Sequence, residues 1–183
     1  MMPRIQVDKK KPSFIENIQY HINNNKESIR FLFLFILFSL SFFIFYFLLQ
    51  DYLNGILYFT AFTVGFVSNA IGLSVTVDGV LIEIGTMTFE IIHECTGMFA
   101  IAISLSSIIS YPAQWKQKTI GIMFVIPFIL LLNLFRILFL IYIGKYHIDL
   151  FEVVHAYLWQ GTFIIFIILA WFLWIDVVVK HAR

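Results

Sequence analysis

Charge is scarce in this chain. Asp, Glu, Lys and Arg make up 13% of its 183 residues, against about 25% in an average soluble domain. Hydrophobic residues make up 61%, and mean hydropathy is +0.91. A water-soluble fold of this length cannot hide that much apolar surface. The deficit excludes a soluble enzyme, a disordered chain and a nucleic-acid binder, and it makes the bilayer the solvent. Net charge is +1, so no global field points to a polyanionic partner. Cysteine is nearly absent as well. With Cys95 alone, no internal disulfide and no multi-cysteine metal site can form. No internal repeat is present, and no H-E-x-x-H motif.

What the chain does have is long apolar runs. A helix needs about 20 mostly apolar residues to cross the hydrocarbon core. Five stretches qualify: Phe31 to Leu49, with eight phenylalanines; Tyr52 to Leu73; Thr96 to Trp115, with Pro112 near its end; Thr119 to Gly144, whose one charge is Arg136; and Ala156 to Ile175. They are too many and too late in the chain for a cleaved signal peptide. Short linkers make one domain over 31–183, preceded by a basic segment over 1–30. Within that segment Phe14, Ile15, Ile18 and Ile22 have the spacing of an amphipathic surface helix over 13–29, although a solvated basic tail fits equally well.

Ser74 to Ile92 breaks the helical pattern. It is rich in β-branched residues, and Asp78-Gly79 is a hairpin signal, with Gly85-Thr86 a second turn. Strands are expected near 74–77, 80–84 and 87–92. An open sheet edge is not tolerated in lipid, so this piece is expected to cap the bundle outside the membrane. The expected fold is an all-α polytopic membrane protein of about five transmembrane helices, with a small β-hairpin or meander cap between the second and third.

Three polar residues stand out against this apolar background. Cys95 lies at or near the N-terminus of the third span, where free N–H groups and the helix dipole favour a thiolate. A lone cysteine is more often a small buried hydrophobe. Arg136 interrupts a 26-residue run otherwise free of charge, about eight residues, or roughly 12 Å, from the helix end. An arginine at membrane depth costs a few kcal/mol and is a functional candidate by default; its structural role would be pairing with Glu94 or Glu152. Asn133, three residues earlier, shares its face and can steer the guanidinium or bind substrate backbone. His155 opens the fifth span, with Glu152 one turn before it to orient the ring. Following the turns of the chain puts Cys95, the Arg136 end of the fourth span and His155 toward one membrane face. His93 and His147 are rival bases, His93 ranking ahead of His147. Thiol acyl transfer needs a nucleophile, a proton shuttle and a stabiliser of negative charge. Cysteine, histidine and arginine supply one of each.

A β-rich segment feeding Glu94-Cys95-Thr96-Gly97, followed by Asn133-Leu134-Phe135-Arg136 and then His155, resembles the exosortase/archaeosortase family over roughly residues 50–176. The resemblance implies a multi-pass membrane cysteine protease or transpeptidase with Cys95, Arg136 and His155 as catalytic residues. Glu94, Asn133, Glu152 and His93 stand as supporting or substrate-binding residues. It implies targets bearing a C-terminal motif, a transmembrane helix and a basic tail, cleaved beside that helix through a thioester. Water, an amine or a lipid-linked acceptor then resolves the thioester. No metal, cofactor or nucleic acid is expected.

Lys116 and Lys118, with Lys180 and Arg183, place their ends in the cytoplasm, and Cys95 and His155 then face outward in the cell membrane. Five full spans would put the basic N-terminus outside, against this tendency; a re-entrant or missed segment would remove the clash. Two other readings compete with the enzyme. One is a non-enzymatic membrane assembly or transport subunit with Arg136 as a structural pin. The other is a metal-dependent intramembrane protease using His93, Glu94, Cys95 and His155.

Overall fold

The computed structural model describes residues 25–85, 87–155 and 159–180. Most of the amphipathic segment expected at 13–29 lies outside these residues. Among the described residues the first helix begins at Lys26 and takes Glu27 and Arg30 into its opening turns. The order is α1 (Lys26–Leu49), a 3-10 turn (Gln50–Tyr52), α2 (Asn54–Ala70), β1 (Thr76–Asp78), β2 (Leu81–Ile84), β3 (Met87–Glu90), a 3-10 turn (His93–Thr96), α3 (Met98–Ser110), α4 (Trp115–Tyr146), α5 (Ile148–Val153), α6 (Trp159–Trp174) and a π-helical turn (Ile175–Lys180). The strands form an antiparallel meander, pairing Asp78 with Leu81 and Ile84 with Met87. Gly79 opens the first hairpin turn with φ +63°, a conformation glycine adopts without strain.

Among the described residues, two helices are long and apolar enough to cross a bilayer: α1, with the 3-10 turn that follows it, and α4. Two of the other expected spans are shorter. The run expected to span 96–115 yields only the 13 residues of α3. Gly97, with φ +80°, separates α3 from the preceding turn, and the helix stops two residues before Pro112. The run over 52–73 yields the 17 residues of α2.

Side-chain contacts fix the direction of each helix. Phe31, near the start of α1, packs against Tyr111 and Trp171, whereas Tyr46, near its end, meets His93 and Phe99. Thus α1 runs antiparallel to α3 and α6. Trp174 Nε1 donates to the Gln117 carbonyl at 2.9 Å, which sets α4 antiparallel to α6. Helix α2 does not return to the Trp115 end. Lys145 Nζ, at the far end of α4, donates at 3.0 Å to the carbonyl of Leu73, just past the end of α2. Helix α2 therefore stands beside the sheet and the second half of α4. Among the described residues the five-span expectation is met only in part, α2 being 17 residues long. Arg30 on α1 lies close enough to Lys118 for their charges to interact.

Helix α4 organises both halves of the core. Gln117, Gly121, Val125, Ile129, Asn133, Ile137 and Ile141 are all buried, one every four residues, a spacing that forms a continuous ridge. Val125 and Ile129 join Ala100, Ile101, Ile108 and Trp174 in one apolar cluster. Ile137 and Ile141 join Ala61 and Val64 of α2 and Ile82 and Ile84 of β2 in the other. Asn133 lies between the two. At Gly121 an added Cβ would come within 2.5 Å of Trp174 Nε1. Gly121→Leu is therefore expected to displace the indole, break its bond to Gln117 and cost about 1–3 kcal/mol. The check is a melting temperature in detergent lowered by several degrees, as read by circular dichroism.

Candidate active site

The thiol sits in a short turn rather than at a helix start. Cys95 is third in the 3-10 turn His93–Thr96, and its backbone N–H donates to the Ile92 carbonyl at 2.9 Å. Thr96 Oγ1 closes the turn by donating to the His93 carbonyl at 2.7 Å. Gly97 then reverses the backbone, so α3 begins only at Met98, three residues after the thiol.

Asn133 of α4 locks this turn in place. Its Nδ2 donates to the Cys95 carbonyl at 2.6 Å, and the residue is 3% exposed. Its Oδ1 is buried with no hydrogen-bond partner among the described residues. The approach depends on Gly97, where a Cβ would lie 3.4 Å from Asn133 Cβ and would be strained by the positive φ. Arg136 follows Asn133 by three residues, on the same helical face. It is half-buried, with Nε inside the protein, and its charge acts on the Cys95 thiol. It lies ten residues before the end of α4 at Tyr146, or roughly 15 Å.

Burial pushes the Cys95 thiol up from its ordinary pKa. A hydrogen bond to the Ile92 backbone and the Arg136 charge pull it back, and Glu94 pushes it further up. The balance is upward. The sequence expectation of a thiolate favoured by a helix N-terminus is therefore corrected: the helix starts too late to help, and desolvation prevails.

The remaining expected residues are distributed unequally. His93 turns away from the thiol toward α1, where its Nδ1 lies 2.7 Å from Tyr46 Oη. Tyr46 was not anticipated; the one available signal was a hydroxyl-bearing ring near the end of a phenylalanine-rich run. Glu94 is exposed. His155 lies at the sheet end of the molecule on an exposed π-turn after α5, its ring stacked on Phe151 at 5.7 Å. Phe151 packs in turn on Phe89 of β3, which borders the same apolar cluster as Cys95. No hydrogen bond joins His155 to Cys95 among the described residues. Glu152 is exposed on α5, and His147 is exposed at the junction of α4 and α5. Among the described residues no three His, Cys, Asp or Glu side chains come together to hold a metal ion.

Residues 26–175 match the family model described as transmembrane exosortase. The chain is 42% identical over 60 residues to a protein described as probable archaeosortase E from Methanocaldococcus jannaschii. That match covers 33% of this chain and 32% of the relative, so it spans about a third of the relative's length. No solved structure matches.

Two predictions follow from the geometry around the thiol. Cys95 is the one cysteine in the sequence, so alkylation by iodoacetamide reports on it alone. Removing the guanidinium in Arg136→Gln removes a charge that favours the thiolate; the pKa rises further and alkylation at a fixed pH slows. Rates followed by mass spectrometry are expected to keep increasing with pH past the ordinary thiol range, with the variant's curve displaced to higher pH. Asn133→Leu leaves the Cys95 carbonyl without its donor and is expected to cost about 1–3 kcal/mol, seen as a lower melting temperature.

Proposed function

Because this chain belongs to the transmembrane exosortase family, we propose that it is a membrane-embedded cysteine protease or transpeptidase. It cleaves target proteins beside a C-terminal transmembrane sorting signal. The observation that carries this reading is the clamp on the Cys95 turn: Asn133 holds the carbonyl of the nucleophile residue, and Arg136, on the same face of α4, acts electrostatically on its thiol.

In this reading the thiol rests protonated. When a peptide segment enters between the turn and His155, the imidazole takes the thiol proton and the thiolate attacks the scissile carbonyl carbon. Arg136 offsets the negative charge on the sulfur and then on the carbonyl oxygen. Collapse of the adduct breaks the C–N bond, and His155 returns the proton to the leaving amine of the tail helix. The thioester on Cys95 is resolved by water, giving an acid, or by an amine or lipid-linked nucleophile, giving a transferred product. Either route restores the thiol.

Membrane depth favours the same site. About 30 Å of hydrocarbon takes up roughly 20 residues of helix. Counted from Trp115, where α4 begins, they end near Leu134, which sets Asn133 and Arg136 at the opposite boundary. The sheet and the last turns of α4 then stand beyond it. Lys26, Arg30, Lys116, Lys118 and Lys180 belong to the other end of the molecule, and the positive-inside tendency makes that end cytoplasmic. The N-terminal cations now agree with the later ones, and the Cys95 end faces outward.

The test is co-expression with a membrane protein carrying a candidate motif, a transmembrane helix and a basic tail. Cys95→Ala is expected to abolish processing at normal expression. Arg136→Gln is expected to slow it about 10²–10³-fold, and His155→Ala about 10²–10⁴-fold. A covalent target adduct on Cys95, sensitive to hydroxylamine, would identify the thioester. Unchanged processing in Cys95→Ala would sink the enzyme reading in favour of a non-enzymatic membrane subunit.

A further inference from the structure

The end of the molecule opposite Cys95 contains a cavity of about 620 Å³, bounded by α1, the α3–α4 connection and the π-helical turn. Three charged residues line it: Arg30, Lys118 and Glu27. Two cations on different helices thus share one space with a single carboxylate, and their charges are close enough to interact. Lys118 Nζ donates to the Ile109 carbonyl at 2.5 Å. An ammonium has three donors, so two remain for a ligand.

Aromatic rings frame the same cavity. Phe31 and Tyr111, both in its wall, meet edge to face at 6.0 Å. Trp115, also in the wall, is 76% exposed. Tryptophan and tyrosine collect at headgroup depth. Along α1 the lining turns apolar through Phe31, Leu34 and Phe38, which lie on one helical face. The cavity therefore passes from cationic to interfacial to apolar along its length.

We propose that this cavity binds an anionic phospholipid of the surrounding bilayer, its phosphate between Arg30 and Lys118 and an acyl chain along Phe31, Leu34 and Phe38. A guanidinium and an ammonium are suited to a phosphate, the first by paired hydrogen bonds and the second as a point charge. Charge complementarity argues against the chain's own N-terminal segment as occupant. Residues 1–24 carry Arg4, Lys9, Lys10 and Lys11 against Asp8 and Glu16, and bring no surplus of negative charge. The same cations reinforce attraction to an anionic leaflet. The bound headgroup ties α1 directly to α4, two long helices otherwise joined mainly through α3.

The test uses the full chain in detergent, titrated with palmitoyl-oleoyl phosphatidylglycerol or with the matching phosphatidylcholine. Native mass spectrometry reads retained lipid, and a thermal melt reads stabilisation. The wild type is expected to retain one phosphatidylglycerol in preference to phosphatidylcholine and to melt at higher temperature with it. Arg30→Gln or Lys118→Gln is expected to weaken retention about fivefold each, and the pair roughly 25-fold. Lys116→Gln, at a residue that does not line the cavity, is expected to leave retention unchanged. If the double glutamine variant melts early without lipid, Arg30→Lys with Lys118→Arg keeps the charges and is expected to retain the lipid. Equal retention of the two lipids, undiminished retention in the double variant, or equal stabilisation by millimolar inorganic phosphate alone would overturn the proposal.

Discussion

The hydrogen bond from Asn133 Nδ2 to the Cys95 carbonyl joins the longest helix to the turn that carries the thiol. Both groups lie in apolar surroundings, where an unmatched amide or carbonyl costs about 1–3 kcal/mol. Each is therefore satisfied in one register of turn against helix. Slipping the turn by one residue along α4 would strand both. Gly97 makes the approach possible, since a side chain there would be strained and pressed against Asn133. Once Asn133 is held, helical phasing puts Arg136 on the same face, and its charge acts on the thiol. The geometry of the site thus rests on a single buried amide in the middle of an otherwise aliphatic ridge.

That ridge also explains why the molecule has two unlike ends. Val125 and Ile129 bury against α3 and the end of α6, all helical partners. Ile137 and Ile141 bury against α2 and the sheet. Among the described residues only the second half of α4 packs beside a sheet, whose open edges lipid does not tolerate. Helix α2 follows from the same division. Its inward residues Ala61 and Val64 pack on the sheet-side cluster, and its end is tied to that of α4 through Lys145 and Leu73. Its end thus lies at the Lys145 end of α4 rather than the Trp115 end. One consequence is electrostatic: the basic start of α1 comes to the Lys118 end without any reversal of the later helices.

Much of this was legible in the sequence because it depends on local chemistry. The hairpin at Gly79 and the strand positions follow from turn residues and β-branched runs, and the observed strands fall within one or two residues of those expected. The apolar character of α1 and α4 needs only composition. The extent of the other helices was not legible, because hydropathy counts apolar residues without saying what they face. Tyr52 to Leu73 is apolar enough to enter lipid, yet Ala61 and Val64 pack in a cluster with a sheet formed by residues that follow them. The state of the thiol was misread for a related reason. Its distance from the start of α3 depends on Gly97 adopting a positive φ, and its burial on clusters drawn from four elements. Tyr46 lies 47 residues from His93, and no local pattern links the two. Asn133 and Arg136 were legible because any polar residue in such a run is conspicuous, whatever its partner.

The separation of thiol and imidazole has a physical logic. Cys95 is carried on a turn locked to α4 by a buried amide, and desolvation pushes its thiol pKa up. His155 is carried on an exposed π-turn and stacked on Phe151, outside hydrogen-bond contact with the sulfur. A thiolate formed in advance at a membrane boundary would be open to oxidation and to stray electrophiles, since the anion is the reactive form. In the proposed reaction, keeping the base on a separate support makes ionisation conditional on something bringing the two together. A peptide segment lying between them meets that condition, and it also excludes water from the Arg136 side, where the positive charge then acts more strongly on the developing anion. In the proposed reaction, selectivity for targets delivered by a membrane helix need not come from a deep recognition pocket. It follows from the requirement that the substrate itself complete the proton path between two residues held apart at rest.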